Sequence, residues 1–189
     1  MIRMAWSWFL HEIMAIKSTY WLMVTAVFGL VFLLSSKKTS IKVSLAKGLL
    51  VAYAFLVVAC TTLNREISAE TYNLMPFWSY RAYFFRGQKD VITQALLNVF
   101  LFVPFGFLSA IVLKSYFKRK SNAVQAIITV LTAAIMSVAI EVTQLITHKG
   151  LCETDDIIHN SLGTIIGYGC WYLYKTIKRR YFADTYEAE

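Results

Sequence analysis

The chain has 189 residues, of which 58% are hydrophobic, 15% aromatic and 16% charged, with a net charge of +8 and a mean hydropathy of +0.54. Soluble domains carry about a quarter charged residues, so this composition excludes a soluble globular protein and marks a membrane protein. The basic residues gather between apolar runs, which speaks for membrane topology and against a nucleic-acid partner.

The chain opens with MIRMAWSWFLHEIMAI, where Trp6, Trp8 and Phe9 stand beside His11 and Glu12. Residues 1–19 read either as an amphipathic interfacial helix or as an extension of the first span. Charge interrupts the apolar run and no small-residue cleavage site follows, so the segment is expected to be retained. Apolar runs then occupy 20–35, 43–63, 91–113, 123–147 and 157–176. Each is close to the roughly 20 residues that a bilayer-spanning helix needs. The expected fold is therefore all-α, a polytopic membrane bundle of five transmembrane helices. With no internal repeat or linker visible, 20–42 holds the first span and its loop, 43–178 a four-span core, and 179–189 a tail.

Charge sets the expected orientation. Lys37, Lys38, Lys42, Lys47, Lys114, Lys118, Arg119, Lys120, Lys175, Lys178, Arg179 and Arg180 fall on one side of the five spans. Arg3, Lys17, Arg65, Arg81, Arg86, Lys89 and Lys149 fall on the other, offset by Glu12, Glu66, Glu70, Asp90, Glu153, Asp155 and Asp156. The positive-inside rule then puts the N-terminus outside and the C-terminus in the cytoplasm. On the outer side, the connection 64–90 carries NLMPFWSYRAYFF. Its Trp78, Tyr80, Tyr83, Phe84 and Phe85 suit the headgroup level, and two readings stand: an interfacial anchor, or a lid that turns Arg81 or Arg86 toward an anion. Cys60, Cys152 and Cys170 show no CxxC spacing; Cys60 and Cys152 both fall near the outer side, where pairing and simple packing are alternatives.

Polar residues recur at helical spacing inside three spans. Ser137, Glu141, Gln144 and His148 share one face of the fourth span, and Asp156, Asn160, Gly163 and Gly167 one face of the fifth. Gln94 and Asn98 form a one-turn pair in the third. At about 1.5 Å per residue, Asn98, Glu141 and Asn160 all lie within roughly 10 Å of the outer surface. An ionised carboxylate in a bilayer costs about 2.5 to 3.5 kcal/mol at the centre, so Glu141 is expected to face the bundle, with Asn98, Asn160 and Gln144 as partners. The glycine pair permits close helix approach.

This convergence predicts an outer-facing binding site built from Asn98, Glu141, Gln144, Asp156 and Asn160, with Arg81 above it. Glu141 is the candidate acid or base if the site is catalytic. A polar network that only sets helix register is the plain alternative. No metal or other cofactor is expected: Glu141, Asp155, Asp156 and His159 lie near one mouth, but no HExxH or comparable motif orders them. No Ser or Cys stands in an activating context.

Several stretches together resemble the VanZ-like family of bacterial membrane proteins: TTLN, NLMPFWSY, LLNVFLFVPFGFL, IEVTQL and DDIIHNSLGTIIGY, in that order from about Leu49 to Tyr174. The resemblance implies a four-span core preceded by one further span, in the bacterial cytoplasmic membrane. It marks Pro76, Phe77, Asn98, Pro104, Gly106, Glu141, Gln144, Asp156, Asn160 and Gly163 as motif positions. It further implies a role in envelope protection, named for teicoplanin resistance. The expected partners are membrane lipids and a lipid-linked cell-wall precursor or lipoglycopeptide. An enzyme acting on a lipid or polyprenyl-linked headgroup, and a transporter subunit, are the alternatives.

Overall fold

The computed structural model describes residues 18–63, 65–67 and 72–186, with the side chains of 181–186 excepted. The amphipathic start, up to residue 17, therefore lies outside the described residues. The chain runs through α1 (Ser18–Ser36), α2 (Ile41–Val58) with a π-helical turn at Ala59–Leu63, and β1 (Tyr72–Asn73). It continues through α3 (Trp78–Arg86), α4 (Lys89–Tyr116), α5 (Asn122–Thr147), β2 (Cys152–Glu153) and α6 (Thr154–Tyr186). The architecture is an all-α bundle, and its only strands among the described residues are two dipeptides at one end.

Among the described residues four helices are long and apolar enough to cross a membrane: α1, α2 with its π turn, α4 and α5. The expected fifth span is the helix α6, whose Asn, His, Gly, Tyr and Trp content lowers its hydropathy below that of the others. Its outward residues Leu162, Ile165, Leu173 and Ile177 are nevertheless apolar and exposed. Its buried polar residues Asp155, His159, Asn160 and Thr164, with Gly163 and Gly167, face its neighbours.

Helix α5 displays the inversion that a lipid solvent demands. Its buried residues are Gln125, Thr129, Ala133, Ser137, Ile140, Glu141 and Gln144, while Ile127, Leu131, Ile135, Val138, Val142 and Ile146 point outward. With tails as apolar as leucine outside, association relies on close packing and interhelical hydrogen bonds. The α4–α6 seam shows the packing part. A Cβ placed on Gly163 would stand 2.1 Å from the Val99 carbonyl oxygen, and one on Gly167 the same distance from that of Val103. Across the seam, Val57, Leu101, Phe102, Phe105, Ala133 and Ile140 form the main apolar core, and Ala110, Tyr168 and Trp171 a second. Tyr53 donates its hydroxyl to the Leu101 carbonyl at 2.7 Å, tying α2 to α4.

The two ends of the bundle differ in charge. At one end Gln125 Nε2 donates to the Phe117 and Lys120 carbonyls at 3.0 and 2.8 Å, closing the α4–α5 connection, and Tyr168 donates to the Asn122 carbonyl at 2.7 Å. There Lys47 stands over the Tyr116 ring at 4.8 Å, and Lys175 lies near Lys114 and Arg179. The acidic residues of the α5–α6 connection occupy the opposite end.

The glycine seam makes a direct prediction. Alanine at Gly163 or Gly167 must push backbone apart, and overpacking of this kind costs about 1 to 3 kcal/mol. A Cβ at Gly169 meets nothing within 4 Å, so Gly169→Ala is expected to leave stability unchanged or slightly raised. Thermal denaturation in detergent should show lower midpoints for G163A and G167A and none for G169A.

Candidate functional site

The site begins where α2 stops being an α-helix. In the π turn the Thr61 carbonyl accepts a hydrogen bond from Gln144 Nε2 at 2.9 Å, which joins the end of α2 to the polar face of α5. Beyond α5, His148 at φ 55° and Gly150 at φ 100° turn the chain sharply back over the bundle. Glycine is required at the second of these: φ is far into the region that L side chains avoid, and a Cβ would also press on Arg65 at 3.2 Å. His148, expected on the buried stripe, is instead the exposed residue ending α5.

The returning segment pairs with the connection between α2 and α3. Tyr72 and Asn73 align in parallel with Cys152 and Glu153, and Ile67 bridges Lys149 in antiparallel sense. This lays the Glu153 backbone N–H on Glu141 Oε2 at 2.8 Å. Glu141 is 3% exposed, and the expectation that Asn98 and Asn160 hold its carboxyl group is corrected here. Asn160 Nδ2 donates to Ser137 Oγ at 2.8 Å, and Asn98 lies beside Asp156. The physical reason is that the sharp turn after α5 brings the Glu153 N–H onto Glu141, while the two carboxamides are engaged with Ser137 and Asp156. No disulfide joins Cys60 to Cys152.

Beside this contact lies a cavity of about 180 Å³. Its polar lining is Thr61, Arg65, Gln94, Asn98, Glu153 and Asp156, and Cys60, Leu97, Leu101 and Leu151 supply the rest of the wall. Of the sequence-predicted residues, Asn98 and Asp156 line it. Glu141 and Gln144 are buried behind it, held by Glu153 and Thr61. Asn160 lies deeper, against Ser137. Arg81 is not brought in: it is exposed, its Nη1 meets Met75 Sδ at 3.3 Å, and it lines a separate hollow with Trp78, Phe85 and Arg86.

The guanidinium that acts on these carboxyl groups is that of Arg65, which interacts electrostatically with Glu141, Glu153 and Asp156. Arg65 and Glu153 read in sequence only as topology charges. The available signals were their positions, Arg65 two residues after Leu63 of TTLN and Glu153 two before Asp155 of DDIIHN. Burial and the neighbouring Asp156 and Asp155 carboxylates push the Glu153 carboxyl up to about 8, against the opposing pull of Trp78 and Arg65. The Trp78 indole N–H lies close to this group but outside hydrogen-bond geometry, so Glu153 Oε1 has no aligned donor.

Asp155 and His159, weak metal candidates in the sequence, both contact the α3 segment. Asp155 accepts the Phe77 N–H on one oxygen and the Ser79 N–H, at 2.9 Å, on the other. It thus caps α3 from another helix, satisfying donors that the helix start leaves open. Tyr80 Oη and His159 Nε2 share a hydrogen bond of 3.0 Å with their rings 5.7 Å apart. The aromatic connection is therefore an ordered helix docked on α6. Among the described residues no three His, Cys, Asp or Glu side chains are grouped to hold a metal.

Two outcomes follow from this geometry. Asp155→Ala strips α3 of its cap, a loss of about 1.5 to 3 kcal/mol per charge-assisted bond, so trypsin should cut at Arg81 and Arg86 much faster than in the parent chain. Glu153 keeps its proton to about pH 8 in the fold but, once unfolded, titrates at its ordinary value of 4.5. The unfolded state therefore binds fewer protons across that window, and stability falls as pH rises from 4.5 toward 8 before levelling. Melting of Glu153→Gln against pH should lack this slope.

A family model described as VanZ/LLP1 matches residues 20–175, taking in α1 but for its first two residues and every residue of the cavity. No curated protein and no solved structure matches the chain. With the match running over most of the sequence and the apolar helical bundle agreeing with it, the chain belongs to the VanZ/LLP1 family and is a helical membrane protein.

Proposed function

We propose that this protein sits in the bacterial cytoplasmic membrane with five spans, α6 being the fifth, and binds the polar head of a lipid-linked envelope component or lipoglycopeptide in its cavity. By the positive-inside rule the lysine-rich end is cytoplasmic and the cavity opens in the outer leaflet. Binding there contributes to glycopeptide tolerance of the teicoplanin type. The observation that carries this reading is the cavity itself, whose polar wall of Arg65, Gln94, Asn98, Glu153 and Asp156 adjoins Leu97 and Leu101. At about 180 Å³ it is smaller than the roughly 300 to 1,000 Å³ of drug-sized sites, which suits a headgroup whose tail stays in the bilayer. The exposed Phe77, Phe84 and Phe85 beside it suit the headgroup layer.

Binding is favoured over catalysis because Glu141, the candidate acid, turns its carboxyl group to the Glu153 N–H and does not line the space. A purely structural network is disfavoured because such a network would satisfy its own members, whereas Glu153 Oε1 is left without a partner. In cells that rely on this chain for teicoplanin tolerance, Asn98→Ala and Asp156→Asn are expected to lower the inhibitory concentration severalfold at equal membrane abundance. Full tolerance in both variants would sink the proposal.

A further inference from the structure

We infer that the cavity takes a zwitterionic headgroup, a primary ammonium carried next to a phosphate, with the ammonium between Glu153 and Asp156 and the phosphate on Arg65. This rests on the reading of the cavity as a headgroup site and names what that headgroup is.

The first ground is charge balance. Glu141, Glu153 and Asp156 all interact with the single guanidinium of Arg65. Buried carboxyl groups need partners, and the remaining polar lining, Thr61, Gln94 and Asn98, is uncharged. The second ground is an orphaned acceptor. Glu153 is 8% exposed, lines the cavity, and has no aligned hydrogen-bond partner at Oε1, the nearby Trp78 indole N–H standing outside hydrogen-bond geometry and itself unpaired. Glu141 does not share this deficit, because the Glu153 N–H already occupies its Oε2. Asp156, beside Asn98, is the second carboxylate on the wall.

The shape of the deficit selects the ligand. An anion alone meets two acidic side chains on the lining, and a neutral polyol brings no cation to replace the proton that Glu153 otherwise keeps to about pH 8. A divalent cation needs a set of ligands that the described residues do not assemble. A primary ammonium brings three donors and no acceptor, which complements Glu153 Oε1 and Asp156. Arg65 lies against the Gly150 turn, its Nη1 3.3 Å from where a Cβ would stand, and its fork of donors matches phosphate oxygens. Leu97 and Leu101 then meet the apolar part of the ligand.

The test uses the purified full-length chain in lipid nanodiscs, with retained lipid counted by native mass spectrometry. The probes are phosphatidylethanolamine, phosphatidylcholine and phosphatidylglycerol of equal acyl length, and soluble phosphoethanolamine as competitor. Charge-assisted hydrogen bonds of this kind are worth about tenfold or more in affinity. Phosphatidylethanolamine is therefore expected to be retained about tenfold over its trimethylated and uncharged-head counterparts by the unaltered chain, a comparison that needs no variant to fold. Glu153→Gln and Asp156→Asn are each expected to remove that preference, and Arg65→Gln to weaken retention. Displacement by phosphoethanolamine identifies the free headgroup as a sufficient source; resistance to it identifies the lipid. Equal retention of the three lipids, or a preference untouched by E153Q and D156N, overturns the inference. Phosphatidylglycerol retained best and lost with R65Q would overturn it too, while leaving the headgroup-site reading intact. No retained lipid, together with unaltered tolerance in the cavity variants, would remove both.

Discussion

The contact between Glu141 and the Glu153 backbone N–H organises the cavity end of this protein. A carboxyl group on a membrane helix must find a donor, and here the donor is the main chain of the connection that leaves the same helix. Satisfying it pulls residues 148–153 back over the bundle, and that return creates the strand edge on which Tyr72 and Asn73 pair. It also places the Glu153 side chain on the cavity wall. One buried acid thereby positions a second, which faces a ligand-sized space.

Around this contact the bundle uses two means of holding helices together where the solvent is lipid. Along α4 and α6, glycines let backbones touch, so that the carbonyls of Val99 and Val103 occupy the room side chains would take. Along α5, small and polar residues turn inward and bond to neighbours, as Ser137 does with Asn160 and Gln144 with Thr61. The first means fixes distance and the second fixes register. Together they keep Asn98, on α4, beside Asp156, on α6.

The docking of α3 extends the same logic outward. Asp155 and Asp156 are adjacent on α6, yet they face different neighbours: Asp155 caps α3 and Asp156 lines the cavity. A 100° step per residue on a helix separates the two roles. Trp78, at the start of α3, lies near Glu153 on one side and lines the outer hollow with Arg81 on the other. The aromatic connection is thus built into the wall of the site as well as into the surface beside it.

Much of this was legible in the amino-acid order. Apolar run length and polar spacing were enough to place the long helices, to pick out Asn98, Glu141, Gln144, Asp156 and Asn160 as inward residues, and to mark Gly163 and Gly167 as a contact face, because helical periodicity and the cost of polar groups in lipid act locally. Which of these residues meet was decided only in three dimensions. The partner of Glu141 is a backbone group, and every residue carries one, so no side-chain pattern could single out Glu153. Arg65 lies against the Gly150 turn and interacts with the carboxyl groups, while Arg81 lies on α3 against Met75, placements that no periodicity announces. Local chemistry determined what had to be buried; the path of the connecting segments determined what each buried group would touch.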